Sequence, residues 1–105
     1  MAERWTGPWP FGDEPRNVAV FTTRQVLEGR PVVRVSHDAD DGAWQFLCDT
    51  PERPIADARI VALEEALRRD PTLAEVADLP LGWGAWRARP GAPWQRAPNA
   101  RDEEV

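Results

Sequence analysis

The chain has no lysine, no tyrosine and a single cysteine, Cys48. One cysteine cannot close a disulfide within the chain, which excludes a small scaffold stapled by disulfides. All 13 basic residues are arginine, a usage that points to GC-rich bacterial coding rather than to a binding device. Eighteen acidic residues bring the formal net charge to −5, and the basic stripe that a phosphate backbone requires is missing. No window approaches the ~18 consecutive apolar residues of a membrane span. The opening stretch MAERWTGPWPFGDEP lacks the apolar run of a signal peptide, so a reduced cytoplasmic setting is expected. Phosphate loops, paired-cysteine zinc patterns and G-x-S-x-G elbows are also absent. No cofactor is expected on these grounds, and no internal repeat occurs.

What is present is a globular composition. The 105 residues are 42% hydrophobic and 30% charged, which fits one domain rather than wholesale disorder. Six tryptophans, at 5, 9, 44, 83, 86 and 94, are the anomaly beside three phenylalanines. Tryptophan fills cores and anchors interfaces. Trp44, Trp83 and Trp86 are expected in the core or at its rim, whereas Trp5, Trp9 and Trp94 are open to either role.

The centre of the chain is Pro31–Cys48. Two short apolar runs, Val32–Val35 and Trp44–Leu47, flank the acidic tip Asp38-Ala39-Asp40-Asp41-Gly42, the pattern of a β-hairpin. Val33, Val35 and His37 share one face of the first strand, and Trp44, Phe46 and Cys48 share one face of the second. Before it, Gly7, Pro8, Pro10, Gly12 and Pro15 forbid a helix, leaving either a disordered lead or an arm pinned by Trp9 and Phe11. Asn17–Thr22 alternates as a strand. Thr22 or Thr23 then caps a single helical turn, Arg24–Glu28, closed by Gly29.

After the hairpin, Thr50–Asp57 is a proline-broken loop. Ala58–Ala62 reads as a strand and Leu63–Arg69 as a helix, with one continuous helix over 55–69 as the alternative. Asp70-Pro71 starts a second short helix with Asp as cap and Pro at its first position. Leu81–Arg87 is either a bulged strand or a wrapping loop, and Pro90–Pro98 is irregular. The segment Trp83–Arg96 is expected to wrap over the sheet, with Trp83 or Trp86 inserted and Trp94 the exposed ring.

Three groups of residues could carry chemistry. Asp38, Asp40 and Asp41 beside His37 crowd acidic ligands, but an EF-hand loop needs an oxygen ligand where Gly42 stands, at position 5. A solvated turn whose aspartates bond their own backbone accounts for them, and no metal is expected. His37 and Cys48 would lie about 10 Å apart at ~3.3 Å per residue, too far for a nucleophile and its base. Trp83, Trp86, Arg87, Arg89, Trp94 and Arg96 interleave rings and guanidiniums, which serves intramolecular stacking or a ligand carboxylate or phosphate.

The strings VSHDADDGAWQFLC, DPTL, LPLGWGAWR and APWQR, in that order, resemble a group of small bacterial proteins marked by HDxDDGxWQFL, LPxGWxAWR and a closing PW-x-R. The likeness covers about residues 9–96 and implies no activity. TTRQVLEG before a strand, with an aromatic strand after an acidic turn, is similar to α+β immunity proteins of bacterial polymorphic-toxin systems. That likeness implies a protein partner and supplies no catalytic residues.

The expected fold is α+β, a small antiparallel sheet of three to five strands around the hairpin, covered by two or three short helices. Residues 1–15 form an arm, 16–96 the domain and 97–105 a charged tail. The expected function is non-catalytic binding of a protein partner, with Asp38, Asp40, Asp41, Trp94 and Arg96 as contacts. The alternative is a small ligand-binding or hydrolytic domain using His37, Trp86 and Arg87 with the tip aspartates. Neither nucleic acid nor membrane is expected as a partner, and the oligomeric state is left open.

Overall fold

The hairpin forms the middle of a six-stranded sheet. The computed structural model describes residues 7–49 and 55–99, so Trp5, the loop over 50–54 and the tail beyond 99 lie outside the described residues. Strands β1 (Ala19–Thr23), β2 (Arg34–His37), β3 (Trp44–Leu47), β4 (Ala58–Ala62), β5 (Trp83–Trp86) and β6 (Gln95–Pro98) lie in the order β4-β1-β3-β2-β5-β6. Helix α1 (Arg24–Leu27) follows β1, and α2 (Leu63–Arg69) follows β4. Two 3-10 segments, Ile55–Asp57 and Pro71–Val76, complete the secondary structure of the described residues.

The expected α+β class holds, but the strand count of three to five is corrected to six, and the sheet is mixed. The chain leaves β1 through α1 and returns antiparallel to it as β2, one strand place further on. The hairpin then reverses into the gap, so β3 lies parallel to β1 with Phe21 opposite Gln45. The other four pairings are antiparallel. The second correction is β6. Its prolines and glycine suggested an irregular segment, yet Gln95–Pro98 pairs along β5 as an edge strand, a place where proline is tolerated.

Local chemistry explains the ends of the elements. Thr23 caps α1 by accepting the Val26 amide, and Gly29, at φ +120°, carries the chain out of the helix. Ala58–Ala62 is the strand and Leu63–Arg69 the helix, with Leu63, Ala66 and Leu67 on the buried stripe. Asp70 caps the segment that Pro71 opens, although that segment is wound as a 3-10 helix.

One face of the sheet is packed. Val20, Val35, Trp44, Phe46, Cys48 and Ala85 lie there, under Leu63, Leu67, Leu73, Val76 and Leu79. The first described residues join this side. Phe11 meets the Trp44 ring edge-on at 5.2 Å, and Trp9 lies 5.9 Å from Phe11. Arg16 stacks over Trp9 at 4.9 Å, so this part of the arm is pinned rather than loose.

The opposite face is open. By alternation it carries Ala19, Phe21, Arg34, Ser36, Gln45, Leu47, Ala58, Ile60, Ala62, Trp86, Gln95 and Ala97, all exposed or half-buried. Trp86, expected in the core or at its rim, is 40% exposed on this face, while Trp94, expected exposed, packs against the core. β5 alternates, so Trp83 points to the packed side and Trp86 to the open one.

Candidate functional site

On the open face the sheet gathers a short polar chain. Asn99 Nδ2 donates to Ser36 Oγ at 3.1 Å, and Ser36 Oγ donates to Asp38 Oδ1 at 2.7 Å. Gln45 Nε2 donates to Asp38 Oδ2 at 2.8 Å, so both carboxylate oxygens are held from the flanking strands. Each oxygen keeps acceptor capacity for a further donor. Gly84 makes room for this arrangement, since a Cβ there would meet Asn99 Oδ1 at 2.5 Å.

Beside Asp38 and Gln45 lies a depression of about 290 Å³, lined also by Phe21, Thr22, Thr23, Leu47, Ile55 and Ala58. Its walls are mostly apolar and a fixed carboxylate stands at one end. Phe21 is 40% and Ile55 90% exposed around it. Such a shape accommodates an alkyl stem carrying a cationic head.

The tip beyond Asp38 is a tight turn. Gly42 N donates to Asp38 O at 2.9 Å and Ala43 N donates to Asp41 Oδ1 at 3.0 Å, with Gly42 at φ +73°. Asp40 and Asp41 are exposed. Among the described residues, no group of three or more His, Cys, Asp or Glu side chains converges as a metal site would require.

The remaining sequence candidates lie elsewhere. Trp94 and Arg96 belong to the packed side of β6: Arg87 stacks over Trp94 at 4.3 Å, and Arg96 donates to Asp78 Oδ1 at 2.8 Å and to Glu75 O at 2.6 Å. They do not share a patch with the tip, because Gln95 pairs with Trp86 at one end of β5 and Pro98 with Trp83 at the tip end. His37, Trp86 and Arg87 are not brought together either. The His37 ring stacks on Trp44 at 3.9 Å, its Nδ1 donates to Leu79 O at 2.8 Å and its Nε2 lies 3.9 Å from Glu14 Oε2. Trp86 points to the opposite face. Arg87 is buried and donates twice to Val32 O, at 3.0 and 2.7 Å, and once to Thr72 Oγ1 and to Asp70. Cys48 is buried at the far end of β3, four residues beyond Trp44, which pairs with His37; that is about 13 Å at ~3.3 Å per residue.

A larger cavity, of about 380 Å³, lies between α1, α2 and the packed face, lined by Val26, Leu27, Val32, Phe46, Val61 and Leu73 among others. Its buried hydroxyl, Thr22 Oγ1, donates to Phe46 O at 2.7 Å, and Arg69, on its lining, pairs with Glu65. None of the sequence candidates lines it.

Sequence reasoning missed Phe21, Ser36, Gln45, Leu47 and Asn99 as site residues. Alternation separates Ala19 and Phe21 from Val18 and Val20, but nothing local says which of the two faces stays open. Near Asp57, a hydrogen bond from Gln25 and the Arg24 guanidinium hold its carboxyl below the usual range, fixing the turn that leads into β4. No helix of the described residues is long and apolar enough to cross a membrane. No family model, no curated protein and no solved structure matches the chain.

Proposed function

We propose that the chain is a non-catalytic module that binds a protein partner on the open sheet face, receiving a basic side chain of the partner in the depression beside Asp38. The observation that carries this reading is the held carboxylate of Asp38 at the end of an apolar hollow. Phe21 and Trp86, each 40% exposed, are the aromatic anchors on that face. Asp40 and Asp41 at the tip and the net charge of −5 favour a partner with basic residues around an apolar strip. A reduced cytoplasmic setting is part of this reading, in keeping with a chain whose single cysteine forms no internal disulfide. The likeness of TTRQVLEG to immunity proteins is in keeping with a toxin as that partner.

The test has two stages. A partner captured from the native host by the immobilised full chain is purified and titrated calorimetrically against wild type, Phe21→Asp, Asp38→Asn and Trp86→Ala, with Glu75→Ala as a distant control. Affinity should fall by at least about tenfold, a loss of ~1.4 kcal/mol, in each face variant and stay unchanged in the control. Equal affinity across all variants overturns the reading.

A further inference from the structure

The hydrogen bonds around Asp38 all run toward it. Asn99 Nδ2 donates to Ser36 Oγ, so the single Ser36 proton goes to Asp38 Oδ1. A carboxylate only accepts, so Gln45 turns its Nε2 toward Oδ2 and its carbonyl Oε1 away. Among the described residues Gln45 Oε1 has no hydrogen-bond partner. The two hydroxyls lining the same hollow are engaged with the backbone: Thr22 Oγ1 donates to Phe46 O, and Thr23 Oγ1 accepts the Val26 amide. Asp38 and Gln45, which also line the hollow, therefore present acceptors, namely the remaining lone pairs of both carboxylate oxygens and Gln45 Oε1. Ser36 and Gln45 face each other across β2 and β3 and hold one carboxylate oxygen each, which restrains the carboxylate from turning.

We infer that the hollow selects a guanidinium over an ammonium, and that Gln45 sets this preference. The inference rests on the reading of the open face as the docking surface for a basic side chain, and it makes the partner's residue an arginine. Charge alone does not separate the two cations; the number and layout of their donors does. A guanidinium brings five N–H groups in a planar fork, which meets both oxygens of a restrained carboxylate at once. A further N–H then reaches Gln45 Oε1, the acceptor beside Asp38 Oδ2. An ammonium is a compact, strongly hydrated point charge with three donors, so it engages one oxygen well and leaves the other acceptors to water. The wall of the hollow favours the same choice. Phe21, 40% exposed, offers a ring face on which a weakly hydrated guanidinium stacks. Phe21 lies opposite Gln45 in the β1–β3 pairing, so ring and amide stand in one row across the sheet.

The test titrates the isotope-labelled full chain with acetyl-leucyl-arginyl-leucinamide, with its lysyl counterpart, and with its citrullyl counterpart, which keeps the shape of arginine without the charge. Amide shifts at Phe21, Asp38, Gln45 and Leu47 give the dissociation constants. The arginyl peptide should bind at least about tenfold tighter than the lysyl peptide, and the citrullyl peptide more weakly than either. In Gln45→Met, of similar length and checked for folding by circular dichroism, the arginyl advantage should shrink below about threefold while the lysyl peptide still binds. The wild-type comparison decides the selectivity whether or not the variant folds. Equal affinity of wild type for the arginyl and lysyl peptides overturns the inference and leaves the reading of a basic partner standing. Binding of neither peptide overturns both. Citrullyl binding as tight as arginyl overturns the charged receptor, and a preference that survives intact in Gln45→Met overturns the role of Gln45.

Discussion

Asp70 and Arg87 are joined at 3.1 Å, and the pair couples the cap of the Pro71–Val76 segment to the end of β5. Oδ1 of Asp70 accepts the Thr72 amide, while Oδ2 accepts from the Arg87 guanidinium, whose side chain is 1% exposed. A cap alone would tolerate asparagine, which accepts the same amide hydrogen bond. Here Asp70→Asn leaves a buried guanidinium without its counter-charge, so it should be clearly destabilising in urea unfolding. Arg87→Ala should cost about 3–5 kcal/mol, the range for breaking a buried pair by removing one partner. Asp70→Asn indistinguishable from wild type would show that only the cap matters.

Trp44 is 2% exposed and is touched on three sides, by Phe11, His37 and Phe46. Trp44→Ala should cost about 3–5 kcal/mol, a large part of the stability of a domain of this size. A loss below about 1 kcal/mol in chemical denaturation would place the core elsewhere.

Asp38 and Asp40 of the tip should separate in effect. Asp38 holds Ser36 and Gln45, so Asp38→Ala should cost about 1 kcal/mol. Asp40→Asn, at an exposed position with only clustered like charges to relieve, should be neutral or slightly stabilising in the same assay. Equal losses at both positions would contradict the polar chain on the open face.

Asp57 sets an acid-limb prediction. Its folded carboxyl titrates below the ordinary value because Gln25 donates to it and Arg24 lies beside it. As pH falls the unfolded chain therefore takes up its proton first. The stabilisation is present above the ordinary carboxylate range, near ~3.9, and is lost as pH falls through the folded value. Thermal unfolding of Asp57→Asn should show a shallower loss between neutral and acid pH than wild type. Parallel acid limbs would mean that Asp57 does not contribute.

Much of the fold was legible because local chemistry dictates it. The hairpin follows from β-branched and aromatic runs around an Asp/Gly turn, α1 from Thr23 and Gly29, and the restart at Asp70 from a cap followed by proline. What was not legible depends on distant partners. β6 is a strand because β5 offers it an edge, despite the prolines and glycine around it. The parallel pairing of β1 with β3 depends on where the hairpin inserts. Trp86 and Trp94 exchange their expected roles because strand phase, rather than distance from the chain end, decides which ring faces the helices. The hollow beside Asp38 draws on β1, β3, the tip and the turn before β4, and no local motif announces such a site.

Docking on the open sheet face is tested most directly by nuclear magnetic resonance on the isotope-labelled full chain, titrated with acetyl-leucyl-arginyl-leucinamide as a basic, apolar probe. Amide shifts should concentrate at Phe21, Asp38, Gln45 and Leu47, and they should be abolished in Asp38→Asn while that variant keeps its fold. Shifts spread evenly over the chain, gathered around Trp94 and His37, or unchanged in Asp38→Asn would contradict it.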